Sequence, residues 1–244
     1  MRWIYLSPHF DDAVLSCGGL IYEQTRQGLQ AEIWTIFAGD APAGPLSLVA
    51  LQCHVDWGIP DVHDLVATRR EEDLAAATIV GAEVARFSLP DCIYRRSADG
   101  EPLYPDKVFL PFHPFDQVLA ADIAAALATE LAPQDILVTP LAIGDHVDHR
   151  LVRLAAERLE CPLRYYADIP YLFRHPETLL PATLGMESDL YPVSEAGLRA
   201  WITVSAAYLT QMVMVFEKDT NMRTSLRADW ETRYGICLTH YKFS

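Results

Sequence analysis

The chain opens on the apolar run Trp3-Ile4-Tyr5-Leu6, which breaks at Ser7-Pro8. Such a run predicts a buried strand that ends in a loop. Residues 13–27 follow with Val14, Leu15, Leu20 and Ile21 on a helical period and a stop at Gly28, so they predict a helix. Gly18-Gly19 would weaken that helix unless close packing requires them. Residues 31–38 read as a second strand, closed by Gly39-Asp40. Strand, helix, strand in that order is a βαβ unit, and a parallel sheet is its default outcome.

The alternation continues down the chain. Residues 41–67 show no sustained period and predict a loop with a short helix near 47–57. Residues 68–80 predict a helix stopped by Gly81, and residues 82–89 a third strand. The polar, proline-rich and aromatic stretch 92–115 suits a long loop or a lid over a site. A helix over 116–131, a strand over 135–139, a helix from 146 to about 159 and a strand over 163–169 come next. Beyond Pro170 the pattern predicts a loop region, one helix from about 195 to 217 and an aromatic tail. The expectation is an α/β fold with a mostly parallel sheet, in one domain over 1–244: a core to about 170, then a C-terminal helix and tail over about 171–244. Asp12, Asp40, Asp91, His149 and Asp168 all fall at or near strand ends, which share one edge in a parallel sheet. Ligands bind at that edge.

Composition narrows the partners. With 19 basic and 33 acidic side chains the formal charge is −14, which disfavours nucleic acid and anionic membranes. The five cysteines are scattered and never form a C-x-x-C pair, so reduced thiols in a cytoplasmic protein are expected. No separate basic and apolar signal segment precedes the first strand. The apolar stripe from Trp201 to Phe216 is interrupted by polar residues and suits a buried helix, or a homo-oligomer contact if exposed, better than a membrane span.

Two clusters carry chemistry. Ser7-Pro8-His9-Phe10-Asp11-Asp12 puts an imidazole and two adjacent carboxylates on a strand-to-helix turn, and His146-Val147-Asp148-His149 opens another helix after another strand. Each has a plain structural reading: Asp11-Asp12 as a helix cap, His146 and His149 as first-turn surface residues. Together they match what a hydrolytic zinc site needs, about three nitrogen or carboxylate ligands with a position left for water. Zinc lowers the pKa of water from about 15.7 to about 7, and a spare carboxylate then serves as general base.

The stretch P-H-F-D-D followed by V-L-S-C-G-G resembles the first motif, H-P-D-D-E, of the PIG-L/LmbE family of zinc-dependent N-deacetylases. H-V-D-H at 146–149 is similar to the family's H-x-D-H, and Arg69-x-x-Glu72 to its R-x-x-E helix. The similarity runs from the first strand to about residue 170. It implies a Rossmann-like three-layer fold and removal of an N-acetyl group from an N-acetylglucosamine-type sugar or conjugate, through metal-activated water. It makes His9, Asp12 and His149 ligands of Zn2+, or of another divalent metal such as Fe2+. It makes Asp11 the general base and gives His146 the oxyanion or the departing amine. Asp148 would orient a histidine through its ring N–H, and Arg69 and Asp91 would bind sugar hydroxyls.

The sequence departs from the family where Phe10 replaces proline and Ala13 replaces glutamate; Phe10 is expected to narrow or line the pocket. Alternative substrates are an N-acylated antibiotic, lipid or cyclic amide, and the non-enzyme alternative is a metal- or sugar-binding protein on the same fold. His113 is a candidate for the lid. His54, His63 and His175 read as surface or packing residues, Tyr165, Tyr166 and Tyr171 as sheet core or pocket wall, and nothing requires His240 at the site.

Overall fold

The computed structural model describes residues 1–216 and 219–241. Five strands run parallel: β1 (Arg2–Ser7), β2 (Gln30–Thr35), β3 (Glu83–Arg86), β4 (Ile136–Pro140) and β5 (Leu163–Tyr166). Two antiparallel strands, β6 (Met186–Pro192) and β7 (Gly235–Tyr241), extend the same sheet in the order β3-β2-β1-β4-β5-β7-β6. β1 lies inside the sheet, with Leu6 opposite Trp34 on one side and Tyr5 opposite Val138 on the other. Its continuous apolar run follows from burial on both faces. Trp3 and Tyr5 pack into one core and Ile4 and Leu6 into the other.

The helices form the outer layers. α1 (Asp12–Arg26), α3 (Val62–Val80), α8 (Glu195–Ser205) and α10 (Asp219–Arg233) share a core with one face, and α4 (Leu119–Glu130) and α5 (Val147–Ala156) with the other. The result is the three-layer, Rossmann-like α/β architecture that the alternation predicts. Gly18 and Gly19 earn their place by contact. A Cβ on Gly18 would lie 2.9 Å from Trp201 Cδ1, and one on Gly19 3.0 Å from Val193 Cγ1. The Trp201 indole N–H donates to the Leu15 carbonyl at 2.9 Å, so the side chains of α8 lie directly on the α1 backbone.

The short helix expected near 47–57 is α2 (Leu48–Trp57), with Ser47 accepting from the Ala50 N–H as its cap. The helix expected over 68–80 starts earlier, because Asp61 caps it by accepting from the His63 and Asp64 N–H groups. The C-terminal part differs more. The stretch after Pro170 holds two single-turn helices, α6 (Tyr171–Arg174) and α7 (Leu179–Ala182), and then β6. The predicted helix over 195–217 is broken at 206–208 into α8 and α9 (Leu209–Phe216), and its predicted end at Glu217 lies outside the described residues. The aromatic tail is strand β7. Among the described residues, no helix is long and apolar enough to cross a membrane.

Candidate metal centre and active site

The carboxyl ends of β1, β4 and β5 open onto one crevice, and the two sequence clusters meet there. Asp11 occupies the N-cap position of α1, but its side chain makes no capping hydrogen bond. Ser7 Oγ accepts from the Ala13 N–H instead, at 3.0 Å, and Asp12 accepts from the His9 N–H at 2.8 Å. The capping explanation of Asp11 therefore fails, and its carboxylate is left facing the crevice.

His9, Asp12 and His149 converge. Asp12 Oδ2 lies 3.2 Å from His9 Nδ1 and 3.4 Å from His149 Nε2. Ligand atoms about 2.0–2.1 Å from a tetrahedral zinc ion lie about 3.3 Å apart. The other ring nitrogen of each histidine is held by a carboxylate: His9 Nε2 by Asp148 at 3.0 Å, His149 Nδ1 by Asp168 at 2.7 Å. His149 Nε2 is buried without a hydrogen-bond partner, as a nitrogen reserved for a metal would be. The donor set fits zinc.

Charge agrees with that fit. Burial resists protonation of His9, but Asp91, Asp12 and Asp148 outweigh it and push its pKa well up. His149 is pushed to about 9 in the same way, burial being outweighed by Asp12 and Asp168. Asp11 rises to about 6, because burial and the neighbouring Asp12 charge outweigh the pull of Arg69 and His9. His146 goes the other way, held well below its ordinary value by burial and by the His9 and His149 rings. Its Nδ1 accepts from the Asp148 N–H at 3.2 Å, which leaves the proton of the neutral ring on Nε2.

A cavity of about 300 Å³ stands over these groups. His9, Asp11, Asp12 and His146 form its polar end, with Arg69 and Asp91 beside them. The Arg69 guanidinium carbon sits 5.3 Å from both the Phe10 and the Trp57 ring, with Nη2 3.5 Å from Asp11 and Nη1 4.0 Å from Asp91. Phe10 corrects the sequence expectation. It is buried in the core behind Arg69 and does not line the cavity. Ala13 is fully buried too.

Other sequence candidates fall elsewhere. Asp40, though at a strand end, turns outward to pair with Arg70 at 3.0 Å. His113 stacks on Phe115 outside the cavity, and His240 on β7 pairs with Asp189 of β6. His54 is buried and bonded to Tyr94 at 2.8 Å. From the stretch expected as a lid, Ile93, Val108 and Phe109 reach the cavity. Sequence reasoning missed Trp57, the α9 residues Gln211, Met214 and Val215 that close the cavity, and the orienting role of Asp168. Of these, only Asp168 carried a signal, as a carboxylate at a strand end.

The family model described as "PIG-L: GlcNAc-PI de-N-acetylase" matches residues 4–159. The chain belongs to the PIG-L family. This PIG-L protein is an N-deacetylase with a His/Asp metal site of the zinc-dependent kind. It is 30% identical over 241 residues to a 2'-N-acetylparomamine deacetylase of Niallia circulans, covering 91% of this chain and 84% of the relative. A 2'-N-acetylparomamine deacetylase of Streptomyces fradiae is 29% identical over 204 residues, with 81% of this chain and 67% of the relative covered. Among solved structures, the zinc-inhibited form of teicoplanin deacetylase superposes with a TM-score of 0.81 at 27% identity, covering 98% of this chain and 97% of that one. The enzyme is thus a metal-dependent amide hydrolase acting on an N-acylated sugar or conjugate.

Proposed function

We propose that this enzyme removes an acetyl or related acyl group from the amine of an amino sugar built into a larger, partly apolar, antibiotic-like conjugate, rather than from free N-acetylglucosamine. The observation that carries this is a hydrolytic polar end set inside an apolar wall. Val49, Trp57, Ile93, Val108, Phe109 and Met214 line the cavity beyond the His/Asp cluster. A lone sugar offers little to such a wall, whereas an apolar substituent gains about 25 cal/mol for each Å² it removes from water. The relatives named for paromamine and teicoplanin deacetylation support the same class.

In this reading His9 Nδ1, Asp12 and His149 Nε2 hold the metal. Zinc bound there supplies Lewis-acid polarisation and an acidified water. Asp11 accepts the proton of the attacking water and returns it to the nitrogen, so that the C–N bond breaks to a carboxylic acid and an amine. The acid's remaining proton passes to the amine to give carboxylate and ammonium. His146 offers its Nε2–H to the negative charge that develops on the amide oxygen. Asp148 and Asp168 hold the rings of His9 and His149 in the ligating tautomers. Arg69 and Asp91 bind hydroxyls of the sugar. The localisation that accords with the cysteine usage is cytoplasmic.

The test is zinc analysis of the purified protein, followed by amine release from a panel of N-acetylglucosamine, N-acetylated aminoglycosides and N-acyl glucosamines carrying apolar aglycones. The conjugates should exceed the free sugar in kcat/KM by at least about tenfold, about one buried apolar contact's worth. Equal kcat/KM across the panel would remove the role given to the wall. Asp11→Asn should abolish turnover and keep zinc, and full activity in that variant would end the general-base assignment.

A further inference from the structure

We infer that Arg95 is a positioning residue for the metal centre, acting through Asp148 on His9. Arg95 belongs to none of the family motifs and lies in the stretch the sequence suggests as a lid. It is only 6% exposed and points beneath the site. Its Nη2 lies 2.6 Å from Asp148 Oδ1 and 2.7 Å from Asp116 Oδ2, and its Nε donates to Asp116 Oδ2 at 3.0 Å. The guanidinium is packed over the Phe37 and Tyr104 rings, at 4.9 and 5.4 Å. The Tyr104 hydroxyl donates to Asp116 at 2.7 Å, fixing that carboxylate as well.

The other oxygen of Asp148 does the work at the site. Oδ2 lies 3.0 Å from His9 Nε2 and accepts the Cys92 N–H at 3.0 Å. The line Asp116, Arg95, Asp148, His9 is continuous, buried and alternating in sign until it ends on a ligand. Asp148 is fully buried, and the contacts on its two oxygens fix where the carboxylate points. Arg95 is the one fixed cation in contact with it among the described residues. With Arg95 in place, Oδ1 of Asp148 is anchored and Oδ2 stays aimed at His9 Nε2, which turns Nδ1 of the ring toward Asp12. Without it, Oδ1 of Asp148 loses its anchor, and Oδ2 no longer holds the His9 ring in one orientation at the metal site.

This rests on the proposed role of His9 as a metal ligand, so the experiment separates the two. Zinc dissociation constants are measured by chelator competition for the wild type and for His9→Ala, Arg95→Met and Arg95→Lys, with thermal melts of the metal-free proteins alongside. Loss of an outer partner of a ligating histidine weakens metal binding by about 10- to 100-fold. Arg95→Met should fall in that range. Arg95→Lys, which keeps the charge and loses the fork, should recover part of the loss. At saturating zinc, KM for substrate should be unchanged, because Arg95 does not line the catalytic cavity. Wild-type zinc affinity in either folded Arg95 variant overturns the inference, and if Arg95→Met does not fold, Arg95→Lys decides. Wild-type affinity in His9→Ala instead overturns the ligand assignment.

Discussion

Glu72 on α3 accepts both the backbone N–H and the hydroxyl of Thr210, at 2.8 and 2.6 Å. Thr210 stands in the first turn of α9, so the Glu of the R-x-x-E motif caps the helix that closes the cavity. A turn earlier, Arg69 reaches the carboxylates of Asp11 and Asp91. One helix thus sets both the polar end of the site and its roof. Glu72→Ala should cost about 1–3 kcal/mol, the range for a charged hydrogen bond lost from a buried donor. Because Gln211, Met214 and Val215 line the cavity, the loss should appear as a KM raised about tenfold with kcat nearly constant. Steady-state kinetics on a conjugate substrate checks this, and an unchanged KM would detach Glu72 from the roof.

The rate should fall in acid. In its proposed role as base Asp11 must be ionised, and its pKa is raised to about 6 by burial and by Asp12. A bound cation adds positive charge nearby and moves that value down. The acid limb of kcat/KM therefore lies at or below about 6, with activity lost as pH decreases through it. A pH–rate profile at constant zinc loading would show it. A limb lying well above that point would assign it to another group.

Asp168 should behave as a metal-site residue although it touches no metal in the proposed set. It holds His149 Nδ1 at 2.7 Å and accepts the Ile143 N–H at 3.0 Å. Asp168→Ala should weaken zinc binding by about 10- to 100-fold. Chelator competition measures the loss; an unaltered affinity would mean packing alone orients His149.

Gly18→Ala tests the contact between α1 and α8. The added Cβ would meet Trp201 Cδ1 at 2.9 Å and Val204 Cγ1 at 3.0 Å, so one helix must shift. Overpacking of this kind costs about 1–3 kcal/mol, and a chain of this size loses about 2–4 °C in Tm per kcal/mol. A variant that melts with the wild type would show that the two helices part easily.

The parallel core and the metal cluster were legible because they rest on local signals. A buried strand leaves a continuous apolar run, and His9, Asp11 and Asp12 sit within one turn of its end. The roof was not legible. Trp57 looks like any buried aromatic, and only the approach of α9 to α2 makes it a wall. The break between α8 and α9 comes without proline or glycine. It is held by Tyr208, whose hydroxyl lies 3.3 Å from Asp73, and by Thr210 on Glu72, contacts far apart in sequence. Phe10 misled for a related reason. Its position beside Asp11 and Asp12 suggested the pocket, but the turn after β1 carries its ring into the core shared with Trp3 and Tyr5, under Arg69.

The sheet closes out of sequence order, since β7 lies between β5 and β6. While the chain is being made, β6 emerges with no neighbour to join, and β5 keeps an open edge until β7 arrives. Strand edges left open in this way invite pairing with other chains. Nascent chains that stall before residue 235 should therefore depend on chaperones, whereas the first four parallel strands can assemble while synthesis continues.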